Sequence, residues 1–393
     1  MTDPTALVKR DLVVETALEI CRRPSLRPNE KAVADYLGPL LERLGFEVEL
    51  QEVVKDRPNV VAIARGSPDH QSFLFNGHLD HSFPFGQWKQ DPFQPWIEGD
   101  ALYGAGLQDM KGGVAAMVAG AAAVLEAGLA PRGDVIVTIV MHHDTIGLGT
   151  KYFLAANDWR IDAAVCGEPT NIGLQVFHGG AWDFEIRARG VARHQARLEE
   201  GVNAIVGLLR VVERLDVGAL TYTPDPRYPH LPRLVVGNVE GGRFAAYTAE
   251  EAVARGNVRY LPGMTIDGMK ADVRRVIARV AAEMPGLSGD VRTTAFQRPY
   301  SIAPDAPVVQ SLVAAHRRVT GRAPAILTGL PSGAFITDAA DLVRAGIPTA
   351  IYGPAEWQTE PNEHIPIDDL VTAARVYAAT CADVVSRRRS AGR

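Results

Sequence analysis

The chain has 393 residues, 47% of them apolar and 22% charged, with a formal net charge of -5. That is enough apolar sequence for one large core or two smaller ones, and the acidic balance argues against a nucleic-acid binder. The three cysteines, Cys21, Cys166 and Cys381, are far apart and form no CxxC, so they read as core thiols of a reduced, cytoplasmic protein. No apolar signal core opens the sequence, and the longest apolar stretch, 113–125, is too short and too rich in Ala and Gly to span a membrane. The tail SRRRSAGR reads as a frayed basic end.

In chain order, residues 5–22 have helical spacing (Leu12, Val13, Ala17, Leu18), and a second amphipathic helix runs from Glu30 to Leu44 and stops at Gly45. FEVELQEVV and NVVAIARG read as strands. QSFLFNGHLD is apolar up to Phe75 and then polar at Asn76, His78 and Asp80. A buried parallel strand ends this way, delivering side chains to the carboxyl edge of a sheet, where open α/β folds bind ligands. Asp109 follows a Gly-Ala-Gly turn and precedes an Ala-rich helix over 113–129. Imidazole and carboxylates at such an edge suit zinc, manganese or cobalt. Taken alone, Asp109 reads equally as a helix N-cap.

Val135 to Met141 forms a β-branched buried strand with His142, His143 and Asp144 at its carboxyl end, ahead of a Gly147-Leu148-Gly149-Thr150 turn. DAAVCGEPT is a short apolar strand that ends at Glu168 before Pro169. From Gln175 the pattern changes to strands of alternating charge (WDFEIRARGVA), two helices and a Gly-rich turn. The first pattern returns near residue 290, with Asp338 at a helix entrance and the terminal strand GIPTAIYG.

GHLD, Trp88, the DPF of Asp91 to Phe93, GDALYGAGLQDMKGG and GEPT together resemble the metal-dependent aminoacylase and exopeptidase family. That family includes acetylornithine deacetylase, succinyl-diaminopimelate desuccinylase, aminoacylase and glutamate-releasing carboxypeptidase. The resemblance implies an α/β fold: a mixed, mainly parallel sheet flanked by helices (zinc-exopeptidase-like), with an inserted α+β ferredoxin-like dimerisation or lid domain. Residues 1–175 and 290–393 would form the catalytic domain, and 176–289 the inserted one.

Carried over position by position, the resemblance makes His78, Asp109 and Glu168 metal ligands, with Asp80 orienting His78 through its second nitrogen. Counting back from GLGT, His143 stands where the family has its general-base Glu, and Asp144 where it has a Glu ligand of the second metal. Imidazole accepts a proton near neutral pH, so His143 takes the base role, and Asp144 is the weaker ligand. Thr359 stands where a metal-binding His is expected, three residues before the Asn of PNE. His81, His142, His143 and His364 are spare imidazoles that could substitute. His194 would stabilise the oxyanion and Arg259 would grip a substrate carboxylate. Ala246 and Asn257 depart from the family pattern at two positions near the substrate.

These positions imply a metal-dependent hydrolase of a C–N amide bond in a small carboxylate-bearing substrate, such as an N-acyl amino acid or a dipeptide-like compound. The expected cofactor is a divalent metal, zinc first and manganese or cobalt otherwise, one or two per chain. The expected partners are a small molecule and a second copy joined through the inserted domain, with no nucleic acid and no membrane. Within the class, an aminohydrolase acting on an aromatic amine is a variant. Outside it, the altered base and ligand fit a non-hydrolytic descendant, either a binding protein or a repurposed enzyme.

Overall fold

The structure is a computed structural model that describes residues 2–129, 132–357 and 361–389. Two compact units are present, one of Met1–Phe177, Tyr300–Ser332 and Thr337–Arg393, the other of His178–Pro299 and Gly333–Ile336.

The first unit opens with helices α1 (Arg10–Cys21) and α2 (Lys31–Arg43), then strands β1 (Glu47–Val54), β2 (Arg57–Ala64) and β3 (Phe73–His78). A short arm, β4 (Trp96–Glu98) and β5 (Ala101–Tyr103), leads through one π-type turn at Leu107–Lys111 into α3 (Gly112–Glu126). Then come β6 (Val135–Val140), α4 (His143–Ile146), α5 (Leu148–Ala156) and β7 (Ala163–Cys166). The chain leaves this unit along β8 (Phe177–His178) and makes β9 (Gly180–Arg189), α6 (Ala204–Glu213), β10 (Arg233–Gly241), β11 (Glu251–Tyr260), α7 (Ile266–Glu283) and β12 (Ser288–Gln297). It returns along β13 (Tyr300–Ser301) to α8 (Pro307–Thr320), α9 (Ala339–Arg344), β14 (Thr349–Ile351), β15 (His364–Pro366) and α10 (Ile367–Val385).

The main sheet has the order β1-β2-β6-β3-β7-β14. β6, β3, β7 and β14 run parallel; at one side β2 pairs antiparallel with β6, and β1 antiparallel with β2. β3, β6 and β7 are buried along their whole length, as a sheet covered on both faces requires. Their inner residues Leu74, Ile136 and Ala164 pack with Phe153 of α5 and Leu342 of α9 in one apolar cluster. α3 packs against α10, and its small residues allow this; a Cβ on Gly120 would stand 2.8 Å from the Ala374 carbonyl oxygen.

The inserted unit is a four-stranded antiparallel sheet, β10-β11-β9-β12, with α6 and α7 packed on it. Trp182, Phe184 and Ile186 of β9 pack against Leu208 and Val211 of α6 and against Val273 and Ile277 of α7. β12 belongs to this sheet, so the inserted unit reaches Pro299. No helix among the described residues is long and apolar enough to cross a membrane.

Candidate metal centre

Three neighbouring parallel strands, β6, β3 and β7, end at one place. His78 is the last residue of β3, His143 follows β6 by three residues, and Glu168 follows β7 by two. β3 sits between the other two, so residues far apart in sequence become lateral neighbours. His78, His143 and Glu168 are all buried, and one ligand atom from each lies within 4.8 Å of the others.

His78 Nδ1 lies 2.8 Å from the main-chain carbonyl oxygen of Asp80, which orients the ring. The Asp80 carboxylate stands farther off, with Oδ1 at 3.7 Å, and accepts the His143 amide at 3.0 Å. The orienting oxygen is therefore the carbonyl, and the carboxylate fastens the start of α4 instead. On its other side His78 Nε2 lies 3.1 Å from Asp109 Oδ1 and 4.0 Å from Glu168 Oε1. Two atoms each about 2.1 Å from a tetrahedral zinc stand roughly 3.4 Å apart, so these spacings bracket what one ion needs.

Asp109 reaches His78 because the π-type turn interrupts the helical backbone there, with φ -125° and ψ 94° at Asp109. Gly106 (φ 73°) allows the turn, since a Cβ on it would lie 2.7 Å from the His81 ring. The turn is anchored by buried Lys111, whose Nζ donates to the Arg23 carbonyl at 2.9 Å, and by Gln108, whose amide donates to the His364 carbonyl at 3.2 Å.

The His78 and His143 rings are nearly parallel, 9° apart, with centroids separated by 4.4 Å. An imidazole ligates along its in-plane lone pair, and a single ion cannot lie in two stacked planes. This favours His78 on the ion, with His143 beside it. His143 Nε2 lies 3.8 Å from Glu168 Oε1, and Nδ1 lies 3.0 Å from Asp338 Oδ1.

Two imidazoles and the carboxylates of Asp80, Asp109, Glu168 and Asp338 thus share one buried site. Burial and the neighbouring His143 pull the His78 pKa down, yet Asp109 and Glu168 override them and push it up to about 9. Burial raises Glu168 to about 8, with the Asp109 and Asp338 charges adding to it against both histidines. Burial also opposes the charge on His143, but Asp338 first and Glu168 next hold it well above the usual value. A proton on His78 and a proton on Glu168 both answer a surplus of buried negative charge, which is the condition that a divalent cation relieves. The donor set therefore fits a metal.

Other sequence candidates have other places. His81 is committed, with Nδ1 2.7 Å from the Ser82 carbonyl and Nε2 accepting the Ser25 amide at 3.3 Å; burial and Lys111 depress it to about 3. His364 stacks on Tyr103 at 5.0 Å. His142 takes a left-handed conformation (φ 54°) and is half-buried. The Asp144 side chain and Thr359 lie outside the described residues. His194 and Arg259 belong to the inserted unit. There, exposed His194 accepts the Ala196 amide at Nδ1 (3.2 Å) and meets Tyr247 edge-on at 5.1 Å, and Arg259 lies on β11.

Asp338 and Thr150 are the members of the site that pattern reading misses. A Thr-Asp pair before an Ala-rich helix looks like a cap, and nothing local separates the two possibilities.

An α/β unit with a histidine and acid cluster at the carboxyl edge of a mainly parallel sheet, interrupted by a small α+β unit, defines a metallohydrolase class. Residues 74–383 match Peptidase family M20/M25/M40, and the chain belongs to that family of hydrolases. It is 30% identical over 378 residues to a succinyl-diaminopimelate desuccinylase of Gluconacetobacter diazotrophicus, covering 92% of this chain and 94% of that one. It is 26% identical over 395 residues to the N-formyl-4-amino-5-aminomethyl-2-methylpyrimidine deformylase of Bacillus subtilis, covering 92% and 91%. Its fold is similar to that of the M20 metallo-carboxypeptidase Sso-CP2 from Sulfolobus solfataricus, with TM-score 0.78, 17% identity and coverage of 95% and 99%.

Proposed function

We propose that this chain hydrolyses a C–N amide bond in a small carboxylate-bearing substrate, such as an N-acyl amino acid or a dipeptide-like compound. The observation that carries this reading is the convergence of His78, Asp109 and Glu168 at one buried, acid-rich point. These three would hold a divalent metal, zinc first and manganese or cobalt otherwise. A second metal would draw on Asp109, Asp144 and the region of Thr359. A metal held there would supply Lewis-acid chemistry, polarising a carbonyl and lowering the pKa of a water to roughly 7.

The protein's own groups do the rest. Asp80 fixes His78 through its carbonyl oxygen and the His143 amide through its carboxylate. His143 takes the proton of the attacking water at Nε2 and returns it to the leaving nitrogen. His194 would donate to the developing oxyanion and Arg259 would grip the substrate carboxylate, as the family resemblance implies. A homodimer through that unit, in the cytoplasm, completes the reading. The exposed valines of edge strand β10 and the exposed Val206 and Leu209 of α6 support the dimer.

A second reading, attack on the amide of an aromatic amine, is favoured by the deformylase relative, whose name gives a formylated aminopyrimidine as its substrate. Phe83 and Phe85 support it as well; they are exposed, in edge contact at 5.8 Å, and lie two and four residues after His81.

Elemental analysis of the purified chain, together with a panel of N-acyl amino acids, dipeptides and N-formyl aromatic amines, tests both readings. One or two metal equivalents per chain and turnover of one substrate group are expected. A chain that retains no zinc, manganese or cobalt after supplementation would point to the non-hydrolytic descendant.

A further inference from the structure

On the hydrolase reading above, we infer that Asp338 is a positioning residue. It fixes the His143 ring in the tautomer that carries its proton on Nδ1, leaving Nε2 to face the reacting water.

Asp338 occupies the N-cap position of α9, but its side chain makes no capping hydrogen bond. Thr337 does that work instead, with Oγ1 accepting the Ala339 amide at 3.2 Å. An N-cap aspartate normally spends its carboxylate on the first turn of its own helix. Here the carboxylate is released to point the other way, and it is buried with 2% of its surface exposed.

One oxygen is hydrogen-bonded, and the other stands in ion-pair contact with the imidazole. Oδ2 accepts the Thr150 hydroxyl at 2.8 Å, and Oδ1 lies 3.0 Å from His143 Nδ1. Thr150 sits in the first turn of α5 and is itself fully buried. The carboxylate is therefore held from one side by a rigid helix and presents its second oxygen to the imidazole. A carboxylate can only accept, so the facing nitrogen must be the N–H. Nε2, turned toward Glu168 at 3.8 Å, is then the atom that receives a proton during catalysis.

Two more contacts restrict the ring. Its main-chain amide is tied to Asp80 Oδ1 at 3.0 Å, and one face is stacked on His78. Asp338 therefore faces Nδ1 and leaves Nε2 on the side of Glu168.

The test uses the full-length, zinc-loaded chain. Asp338→Asn and Thr150→Val are each compared with the wild type by metal content, thermal unfolding, kcat and KM. The His143 tautomer is read by long-range 15N–1H NMR with His143→Gln for assignment. The wild type should carry its ring proton on Nδ1. Asp338→Asn should keep its metal and its KM within about threefold, lose the single Nδ1–H form, and drop kcat by about 100-fold or more. Thr150→Val, which loosens the carboxylate without removing it, should lower kcat several-fold with the tautomer retained. This keeps the inference testable if Asp338→Asn does not fold. A wild-type ring protonated on Nε2 would overturn the inference, as would either variant leaving both ring and kcat unchanged. A wild type with the Nδ1–H tautomer that turns over no substrate would instead remove the hydrolase reading and leave the positioning contact standing.

Discussion

Glu185 shows how much a single residue's surroundings decide. It lies at the middle of β9 with 2% of its side chain exposed, and three guanidinium groups meet it: Arg292 at 2.9 Å, Arg255 at 3.1 Å and Arg187 at 3.5 Å. Arg292 first, and then Arg187 and Arg255, overcome burial and hold its pKa at about 2, below the ordinary 4.5. A carboxylate with a depressed folded-state pKa stabilises the fold above its unfolded-state pKa, and that contribution disappears as pH falls from about 4.5 toward 2. Glu185→Gln should cost about 1–3 kcal/mol at pH 7, from lost charge-assisted hydrogen bonds. Urea unfolding at pH 7 and again at pH 3 checks this, and the gap between variant and wild type should be clearly smaller at pH 3. The metal centre obeys the same electrostatics with the opposite balance, since there the carboxylates outnumber the cations and a metal takes the place that arginines fill around Glu185.

At the scale of elements, the start of α3 shows why the GG of DMKGG cannot vary freely. A Cβ on Gly113 would stand 2.1 Å from the carbonyl oxygen of Gly167, the residue before Glu168. Backbone cannot give way there as a flexible side chain could. The close approach sets α3 against the end of β7, and so sets the distance between the Asp109 turn and Glu168. Gly113→Val should force the two apart. Overpacking of this kind costs typically 1–3 kcal/mol, and it should also weaken metal retention by at least tenfold. Competition for zinc against a chromophoric chelator, alongside a thermal melt, reads both. A variant that melts lower but holds zinc as tightly as the wild type would show that the approach serves packing alone. The π-type turn over Leu107–Lys111 belongs to the same device, because it turns the Asp109 side chain toward His78 instead of along the helix.

For the whole molecule, the question is what the inserted unit is for. β10 forms one edge of its sheet, with Val235 58% and Val239 43% exposed. Beside it α6 turns Leu209, 50% exposed, to solvent, and α6 and β10 are in contact. A nine-residue edge strand carrying exposed valines invites strand pairing unless another chain covers it. On the proposed dimer reading, a second copy would meet that need by the symmetric pairing of edge and helix that homodimers commonly use. Sedimentation at micromolar concentration should give a dimer, and Leu209→Glu combined with Val239→Lys should shift it to monomer without lowering the melting temperature of the metal-bearing unit. A wild-type monomer would leave β10 as an edge protected by its charges.

What the sequence determined by itself lies in segments whose chemistry is local. QSFLFNGHLD ends polar because a buried strand must surface, DAAVCGEPT does the same, and the Asp109 turn is announced by its glycines. From these the family, the mainly parallel sheet and the edge where His78, Asp109 and Glu168 gather were readable. The tertiary structure alone decided which side chains meet. The order β6-β3-β7 stacks His143 on His78, which no spacing along the chain encodes, because lateral neighbours in a sheet are set by crossovers of dozens of residues. It also decided that Asp338 serves His143 while Thr337 caps α9, and that His81 is occupied by Ser25 and Ser82. Each of those choices is between two partners of equal local merit, and only the packing of distant elements separates them.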